Sequence, residues 1–311
     1  ASIVKGTAPV DVTFSATVIG ASGTVTYDWD FNGDGVYERE GVTTDDVTYR
    51  YAEAGVYTVS VRAHDSAQAL PAENTKTDCI SLAPAVVYVN LDSTTAASPF
   101  ATPDTAASNI VDALAVAYGG SVISVAKGWY PIKAPIVLTE NASIVGATGN
   151  PSDVVISNTI NGANNSIALL DNAGARIANV SLFGGRTTTQ PTIGAGLTIE
   201  LGGGTVSNCV IANCYGSGNQ TATPGAYLKS GLLTHSIVED CRVQFDEYYN
   251  TSGLRALGAV VTGDGRVENS LFRNFKSNAF GHVVQVASSA AKLVNCTVVD
   301  SALGCNHELA G

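Results

Sequence analysis

VSNCVI, at residues 206–211, is one of five related six-residue segments that decide the fold of most of this 311-residue chain. The five segments align without gaps and begin between 26 and 32 residues apart. They are IANVSL (177–182), VSNCVI (206–211), VEDCRV (238–243), VENSLF (267–272) and LVNCTV (293–298). Repetition at this period indicates a solenoid, in which each unit buries its apolar side against its neighbours.

The residue type found at each aligned position has a physical reason. Apolar residues fill the first and sixth positions, and we expect both to point into a shared core. Asn or Asp fills the third position, where a bend with left-handed backbone favours a short amide or carboxylate. A second bend is predicted two residues beyond the sixth position, at Asn213, Asn274 and Asp300. With further short strands between the segments, the pattern predicts a right-handed parallel β-helix.

The fourth position holds small residues and is expected to form an inward stack that includes Cys209, Cys241 and Cys296. Reduced thiols pack well in such a stack and are the preferred interpretation. A disulfide between Cys209 and Cys241 is the alternative, because stacked coils bring Cα atoms close enough for one. The other three cysteines have no assigned partner, and the absence of a CxxC pair argues against zinc. They are Cys79, Cys214 and Cys305.

The first eighty residues alternate apolar and polar side chains with period two. One face of TVTYDWDF carries aromatic rings and the other carries Asp28 and Asp30, and GVYTVSVRAHD alternates in the same way. This pattern predicts half-buried antiparallel strands and a two-sheet β-sandwich over residues 1–83. The residues expected to share its core face are Tyr27, Trp29, Phe31, Tyr57, Val59 and Val61.

Three motifs of this region resemble those of the PKD (polycystic-kidney-disease-type) domain. They are GTAPVDVTF, YDWDFNGDG and YRYAEAGVYTVSVRAHD, in that order, and the resemblance covers about residues 1–82. Asn32 is an extra residue within the family's WDFGDG motif. The resemblance implies an immunoglobulin-like sandwich, which in bacteria serves as a spacer or carbohydrate-contacting unit on exported proteins.

The segment between the two repeat patterns predicts one capping helix at about residues 103–118. Thr102 is the expected N-cap and Pro103 the first helical residue. An apolar stripe is expected to cover the open end of the first coil, since solenoid ends need caps. The stripe comprises Ile110, Val111, Leu114 and Ala117. The β-helix is therefore predicted to occupy residues 84–311.

This second region also resembles bacterial pectate-lyase-like β-helix proteins. The similar stretches are YVNLDSTTAASPFATPDTAASNIVDAL, ISVAKGWYPI, ASIVGATGNPSDVVIS and ARIANVSLFGG. The resemblance implies the fold but not a reaction, because the family includes polysaccharide lyases, glycoside hydrolases, adhesins and surface proteins without known activity.

Composition narrows the classes of function. The net charge is −11 and only 14% of residues are charged, which argues against nucleic acid as a partner. No uncharged apolar stretch of about 18 residues is present, so no membrane span is expected in this segment. Because the chain begins at Ala1 and contains no Met, we expect a processed or excised piece of an exported protein. We also expect continuation beyond Gly311, or docking there on another subunit, because uncapped solenoid ends are sticky.

DFNGDGVYE is the candidate calcium site, with Asp30, Asn32, Asp34 and Glu38 as its ligands. Oxygen-bearing side chains at alternate positions of a glycine-rich bend suit a hard cation. No acid stands twelve positions into this loop, where an EF-hand places its bidentate Glu. The alternative is a solvated acidic turn without an ion.

The candidate carbohydrate site combines Arg242 with the acidic and aromatic segment that follows it. Such a segment can stack against and hydrogen-bond a sugar, or it can be a solvated turn. Its members are Arg242, Asp246, Glu247, Tyr248 and Tyr249. The outward fifth position of the repeat holds no carboxylate, so no catalytic set is predicted.

Two classes of function remain. The favoured hypothesis is a non-catalytic extracellular or cell-surface protein with a structural or adhesive role, contacting polysaccharide or other surface-protein subunits. The alternative is a secreted polysaccharide lyase or glycoside hydrolase with a PKD-like accessory domain. No cofactor is predicted beyond the candidate calcium.

Overall fold

The computed structural model describes residues 1–159, 166–187, 193–217, 223–244, 256–277 and 282–303. The chain divides into two units. The first comprises Ala1–Ala85 with Tyr118–Ser121, and the second comprises Val86–Ala117 and the described residues from Val122 onward. Both units are built from β-strands, as predicted.

The first unit is a β-sandwich of seven strands. A five-stranded sheet has the order β1-β7-β6-β3-β4, and a two-stranded antiparallel sheet pairs β2 with β5. The strands are β1 (Lys5–Thr7), β2 (Val10–Ser15), β3 (Val25–Asp30), β4 (Arg39–Val42), β5 (Asp46–Tyr51), β6 (Gly55–Asp65) and β7 (Ala72–Ala83).

Aromatic rings fill the space between these two sheets. Trp29 stacks on Phe31 with ring centroids 5.8 Å apart, and Phe14 packs 5.2 Å from Phe31. The predicted core face is confirmed, since its six residues all belong to this cluster. Asp28 and Asp30 occupy alternate positions of β3, as predicted, but Asp30 is buried. Its carboxylate accepts hydrogen bonds from the turn that follows β3, which satisfies it away from water.

The second unit is a parallel β-helix whose strands follow one another coil by coil. The first strand is β8 (Val86–Val89), and a short helix, α1 (Ile110–Val116), follows it. The early coils contain β9 (Val122–Val125), β10 (Gly128–Ile132), β11 (Ile136–Leu138), β12 (Ser143–Gly146), β13 (Val154–Asn158) and β14 (Ala168–Leu170).

The later coils add a fourth, very short strand. All strands of the later coils are β15 (Arg176–Ala178), β16 (Ser181–Phe183), β17 (Arg186–Thr187), β18 (Leu197–Ile199), β19 (Thr205–Ser207), β20 (Val210–Ala212), β21 (Tyr215–Ser217), β22 (Ala226–Leu228), β23 (Leu232–Thr234), β24 (Ile237–Glu239), β25 (Arg242–Gln244), β26 (Ala256–Val261), β27 (Arg266–Glu268), β28 (Leu271–Arg273), β29 (Lys276–Ser277), β30 (His282–Val286), β31 (Lys292–Val294), β32 (Thr297–Val299) and β33 (Ala302–Leu303).

Equivalent strands of successive coils stack into three long parallel sheets. The first runs from β8 through β9, β12, β15, β19, β23 and β27 to β31, and the second runs from β10 to β32. The third runs from β11 to β30, and the short strands β17, β21 and β25 form a further sheet beside it. Strands of all three long sheets contribute side chains to one continuous apolar core inside the coils.

The register of the first sheet corrects one of the five aligned segments. Val206 pairs with Leu233, and Leu233 pairs with Val267, so LTHSIV (233–238) is the true equivalent of VSNCVI. Val238 instead pairs with Ile211 of the second sheet. The other four segments are aligned as predicted. VEDCRV follows the same pattern because it begins at the second bend of its coil, where the chain also needs an acid or amide before a small inward residue.

Both predicted bends are present, and each places one residue per coil in left-handed backbone. At the first bend the residues are Asn179 (φ 60), Asn208 (φ 49), His235 (φ 48), Asn269 (φ 47) and Asn295 (φ 51). At the second they are Gly184 (φ 78), Asn213 (φ 54), Asp240 (φ 53), Asn274 (φ 61) and Asp300 (φ 49). Gly, Asn and Asp tolerate this conformation at least cost, which explains the recurrence of these residue types.

The corrected register also changes the stacking of the cysteines. Cys209 lies beside Ser236, whose hydroxyl accepts a hydrogen bond from the Cys209 amide at 3.1 Å. Cys241 lies beside Cys214, because the amide of Arg242 donates to the Cys214 carbonyl at 3.0 Å. The predicted neighbourhood of Cys209 and Cys241 is therefore wrong. The structure contains no disulfide among the five described cysteines.

The capping segment is shorter and more divided than the predicted helix at 103–118. Thr102 and Thr105 form a capping box around a single 3-10 turn at Pro103–Thr105. Ala107 then pairs with Val89 in a parallel bridge, so the chain is extended before Asn109 caps α1. Ile110 and Ala113 of α1 enter the β-helix core, whereas Val111 is 48% exposed. The cap therefore exists, but the pairing of Ala107 with β8 divides the predicted helix into a 3-10 turn and α1.

Candidate functional site

The candidate calcium site lies in the turn between β3 and β4. Ligand atoms of Asp30, Asp34 and Glu38 all lie within 4.8 Å of one another. Gly33 and Gly35 have φ of 78° and 86°, which fold the turn tightly. A Cβ at Gly33 would lie 2.8 Å from the Cβ of Thr58, so only glycine fits there. The structure thus brings the predicted acids together.

Hydrogen bonds from the turn already engage these carboxylates. Asp30 Oδ1 accepts from the Gly33 amide at 2.7 Å, and its Oδ2 accepts from the Gly35 amide at 3.0 Å. Glu38 Oε2 accepts from the Phe31 amide at 2.8 Å, and its Oε1 accepts from Asn32 Nδ2 at 2.5 Å. Asn32 Oδ1 accepts a hydrogen bond from the Asp34 backbone amide at 2.8 Å. This arrangement holds three acids close together, and Ca²⁺ prefers oxygen ligands of these kinds.

The second candidate site lies where β17, β21 and β25 stack on the outside of the β-helix. Arg186 pairs with Tyr215, and Tyr215 pairs with Arg242 in the next coil. The Arg186 guanidinium lies over the Tyr215 ring, 5.6 Å from its centroid. We call the outward row of Arg186, Tyr215 and Arg242 the basic ladder. Its two arginines are both exposed.

A shallow groove of about 660 Å³ contains the basic ladder. Its lining residues come from three successive coils and are Phe183, Gly184, Arg186, Asn213, Tyr215, Arg242 and Val243. Beside it, Phe183 meets Trp129 edge-to-face with ring centroids 5.3 Å apart, and Trp129 is 51% exposed. The groove therefore combines two arginine guanidinium groups with exposed aromatic surface.

Elsewhere on the β-helix, several cationic side chains pair with a carboxylate. Lys229 Nζ lies 2.6 Å from Glu200 Oε2, and Arg273 Nε lies 2.6 Å from Glu239 Oε2. Lys127 likewise pairs with Asp153, and Arg266 with Glu268. No carboxylate of the described residues forms an ion pair with Arg186 or Arg242. In a chain of net charge −11, Arg186 and Arg242 are thus two exposed arginines on nearby coils that have no acidic partner among the described residues.

Four residues predicted to join Arg242 lie outside the described residues: Asp246, Glu247, Tyr248 and Tyr249. Arg242 itself is exposed in the groove. Arg186 and Tyr215 were missed, because the shifted alignment put Arg242 in a row with Ser181 and Val210. The signal that identifies them is the second bend, since each of the three residues lies two positions after a residue in left-handed backbone.

Comparisons with known proteins agree with the architecture of the first unit. Residues 4–76 match the PKD domain family. No curated protein and no solved structure matches the chain. No helix of the described residues has the length and apolar character that crossing a membrane requires. PKD domains occur in extracellular proteins, and the match is consistent with an extracellular location for this chain. The chain thus consists of an N-terminal PKD domain followed by a parallel β-helix.

Proposed function

We propose that this chain is a non-catalytic extracellular or cell-surface protein that contacts polysaccharide through the basic ladder of its β-helix. The PKD domain and the β-helix are both consistent with an extracellular or surface protein. The observation that carries the more specific proposal is the row of Arg186, Tyr215 and Arg242 on three successive coils. Adhesion or assembly on a surface is the role that this contact would serve.

The chemistry of the basic ladder favours an acidic polysaccharide. A guanidinium binds a carboxylate or sulfate through two parallel hydrogen bonds, and its planar shape also stacks on rings. Arg186 and Arg242 are separated by two ladder steps, roughly 9.6 Å along the β-helix axis. Tyr215 between them offers an aromatic face on which a sugar ring can pack. A linear polymer with acidic groups at regular intervals can therefore meet both charges at once.

The rigidity of the scaffold supports a binding role. The residues that precede each ladder member are held by coil-to-coil hydrogen bonds, such as that from the Tyr215 amide to the Gly185 carbonyl at 2.8 Å. A ligand therefore need not order the backbone that carries these side chains, which reduces the entropy cost of binding. The Cα atoms of the two arginines keep their spacing without a partner.

The test measures binding of the whole chain to polyuronate, sulfated and neutral polysaccharides by affinity electrophoresis. We expect retention by acidic polymers, and a loss of at least tenfold in affinity for the variant Arg186→Gln/Arg242→Gln. Arg176→Gln/Lys292→Gln is the control, because both residues are exposed on the first sheet and their loss removes the same two charges elsewhere. Equal binding by all these proteins would contradict the proposal. Release of unsaturated or reducing ends from any polymer would show that the protein is an enzyme instead.

We also propose that the turn of Asp30, Asn32, Asp34 and Glu38 binds calcium. Three acids held within 4.8 Å repel one another, and a divalent cation removes that repulsion. Since the turn connects β3 to β4, a bound ion would stiffen the edge of the five-stranded sheet. Calorimetry of the whole chain with calcium is the direct test, and an absence of heat together with an unchanged thermal midpoint would contradict binding.

A further inference from the structure

Two of the five described cysteines are neighbours in the stack of coils. Cys214 and Cys241 immediately precede Tyr215 and Arg242, which are register partners in β21 and β25. The Arg242 amide donates to the Cys214 carbonyl at 3.0 Å, so the two coils are hydrogen-bonded at this point. Stacked residues of adjacent parallel strands lie about 4.8 Å apart, and disulfides join Cα atoms at roughly 4.4–6.8 Å.

The two thiols also point in the same direction. Cys214 Sγ donates to the carbonyl two residues earlier, that of Ala212, at 3.4 Å, and Cys241 Sγ donates to that of Glu239 at 3.3 Å. Both side chains are buried, with exposures of 0% and 1%. The two sulfur atoms therefore face the same enclosed space inside the β-helix.

The remaining described cysteines have no such neighbour. Cys209 is stacked between Val180 and Ser236, and Cys296 follows Ser270 in the same row. Cys79 belongs to the sandwich. The pairing is thus specific to one position of the coil, and it differs from the pairing of Cys209 with Cys241 that was the alternative from the sequence alone.

We propose that Cys214 and Cys241 are joined by a disulfide that links two successive coils beneath the basic ladder. This inference rests on the extracellular location in the proposed function, because exported proteins meet oxidising conditions. Two thiols lose two protons and two electrons, and a small-molecule or protein disulfide accepts them and is cleaved to two thiols. The link encloses residues 214–241 and holds β21 and β25 at a fixed spacing.

The bond forms before the coils close. In the folded chain, burial raises the pKa of the Cys241 thiol, and the adjacent Cys214 thiol raises it further. Since the thiolate is the species that attacks a disulfide, exchange is slow once these side chains are enclosed. The same enclosure protects the finished bond from reductants.

The experiment refolds the reduced whole chain with oxidised and reduced glutathione, unfolds it in iodoacetamide without reductant, and maps its tryptic peptides. Trypsin leaves Cys209 and Cys214 together in peptide 187–229 and Cys241 in peptide 230–242. The variant Cys209→Ser makes Cys214 the single cysteine of its peptide, so its map identifies the pair directly. We expect the two peptides to be linked, with a mass lower than that of the separate peptides by two hydrogen atoms.

Recovery of Cys214 and Cys241 as alkylated thiols, or of Cys241 linked to another cysteine, would overturn the inference. The variant Cys214→Ser should lose the link, and the Cys209→Ser map remains decisive if that variant does not fold. This outcome is separable from that of the proposed function, because the peptide map requires no polysaccharide and the binding assay requires no disulfide.

Discussion

Asn208 donates a hydrogen bond from its side-chain amide to the side-chain oxygen of Asn179 at 2.9 Å, which joins two successive coils at the first bend. The same Nδ2 donates to the Gly149 carbonyl at 2.9 Å. Asn295 and Asn269 repeat the contact at 2.7 Å further along the β-helix. His235 stands between these two pairs in the row, so the amide stack is interrupted at one coil.

Replacing Asn208 separates the two roles of these bend residues. Asn208→Ala should lower the free energy of unfolding by about 2 kcal/mol, because it loses amide hydrogen bonds and keeps a left-handed backbone that alanine disfavours. Asn208→Gly loses the amide alone and should cost about 1 kcal/mol. Urea unfolding followed by circular dichroism measures both. Equal losses in the two variants would show that the left-handed backbone carries no cost here.

The inward position of the second sheet should control the stability of the β-helix. Ile211 is fully buried in the core, whereas the preceding Val210 points outward and is half-buried. Ile211→Ala should cost about 2–5 kcal/mol through the cavity it leaves. Val210→Ala, one residue away, should cost about 1 kcal/mol or less. A loss for Val210→Ala as large as that for Ile211→Ala would contradict the assigned orientation of β20.

Calcium dependence should disappear when one acid of the turn is neutralised. Calcium should raise the midpoint of thermal unfolding of the wild-type chain, and Asp34→Asn should abolish that rise because it removes one charged ligand. Asp45→Asn is the matched control, since Asp45 is exposed in the same domain and outside the acid cluster. The measurement is a thermal melt with calcium and with chelator. A rise that survives in Asp34→Asn would place the ion elsewhere.

Alkaline pH should weaken the PKD domain through Tyr51. Its hydroxyl donates to the Phe31 carbonyl at 2.8 Å, and burial raises the pKa of this phenol. Because the folded pKa is raised, the contribution is complete below about pH 10, where the unfolded tyrosine is still neutral, and it declines as the pH rises further.

Tyr51→Phe tests this dependence. At pH 8 it should cost about 1 kcal/mol through the lost hydrogen bond, and between pH 9 and 11 its stability should fall less steeply than that of the wild type. Tyr37→Phe is the control, since the Tyr37 ring lies at the surface beside Arg62. Parallel pH profiles for the wild type and Tyr51→Phe would show that this hydroxyl is not responsible.

The alternation and repeat of the sequence were enough to predict both folds, because burial imposes period two on the strands and left-handed bends impose Asn or Asp on the corners. The coil containing Leu233 escaped the alignment because His235 takes the place of Asn at its first bend. VEDCRV was aligned in place of LTHSIV, since Asp240 and Cys241 also provide an acid or amide followed by a small inward residue, but at the second bend. Only hydrogen-bonded register distinguishes the two corners.

The candidate sites were predictable to different degrees. The acids of the calcium turn are local in sequence, so a motif finds them, although the burial of Asp30 depends on the sandwich that surrounds it. The basic ladder depends on residues from three coils, and an error in one coil hides it. Arg186, Tyr215 and Arg242 share only their position two residues after the second bend, and their association becomes visible once the coils are stacked in the correct register.

The two bends give each coil the same entry and exit points, with strand-to-strand register conserved at both. A duplication or deletion that begins and ends at equivalent bend residues, such as Asn179 and Asn208, would join equivalent positions of two coils. The coils that remain would still stack with the same strand register. Such a protein can change its length in whole coils while its cross-section stays constant. The length of the β-helix, and the number of coils that can contact a polymer, can therefore change while the core of each coil stays the same.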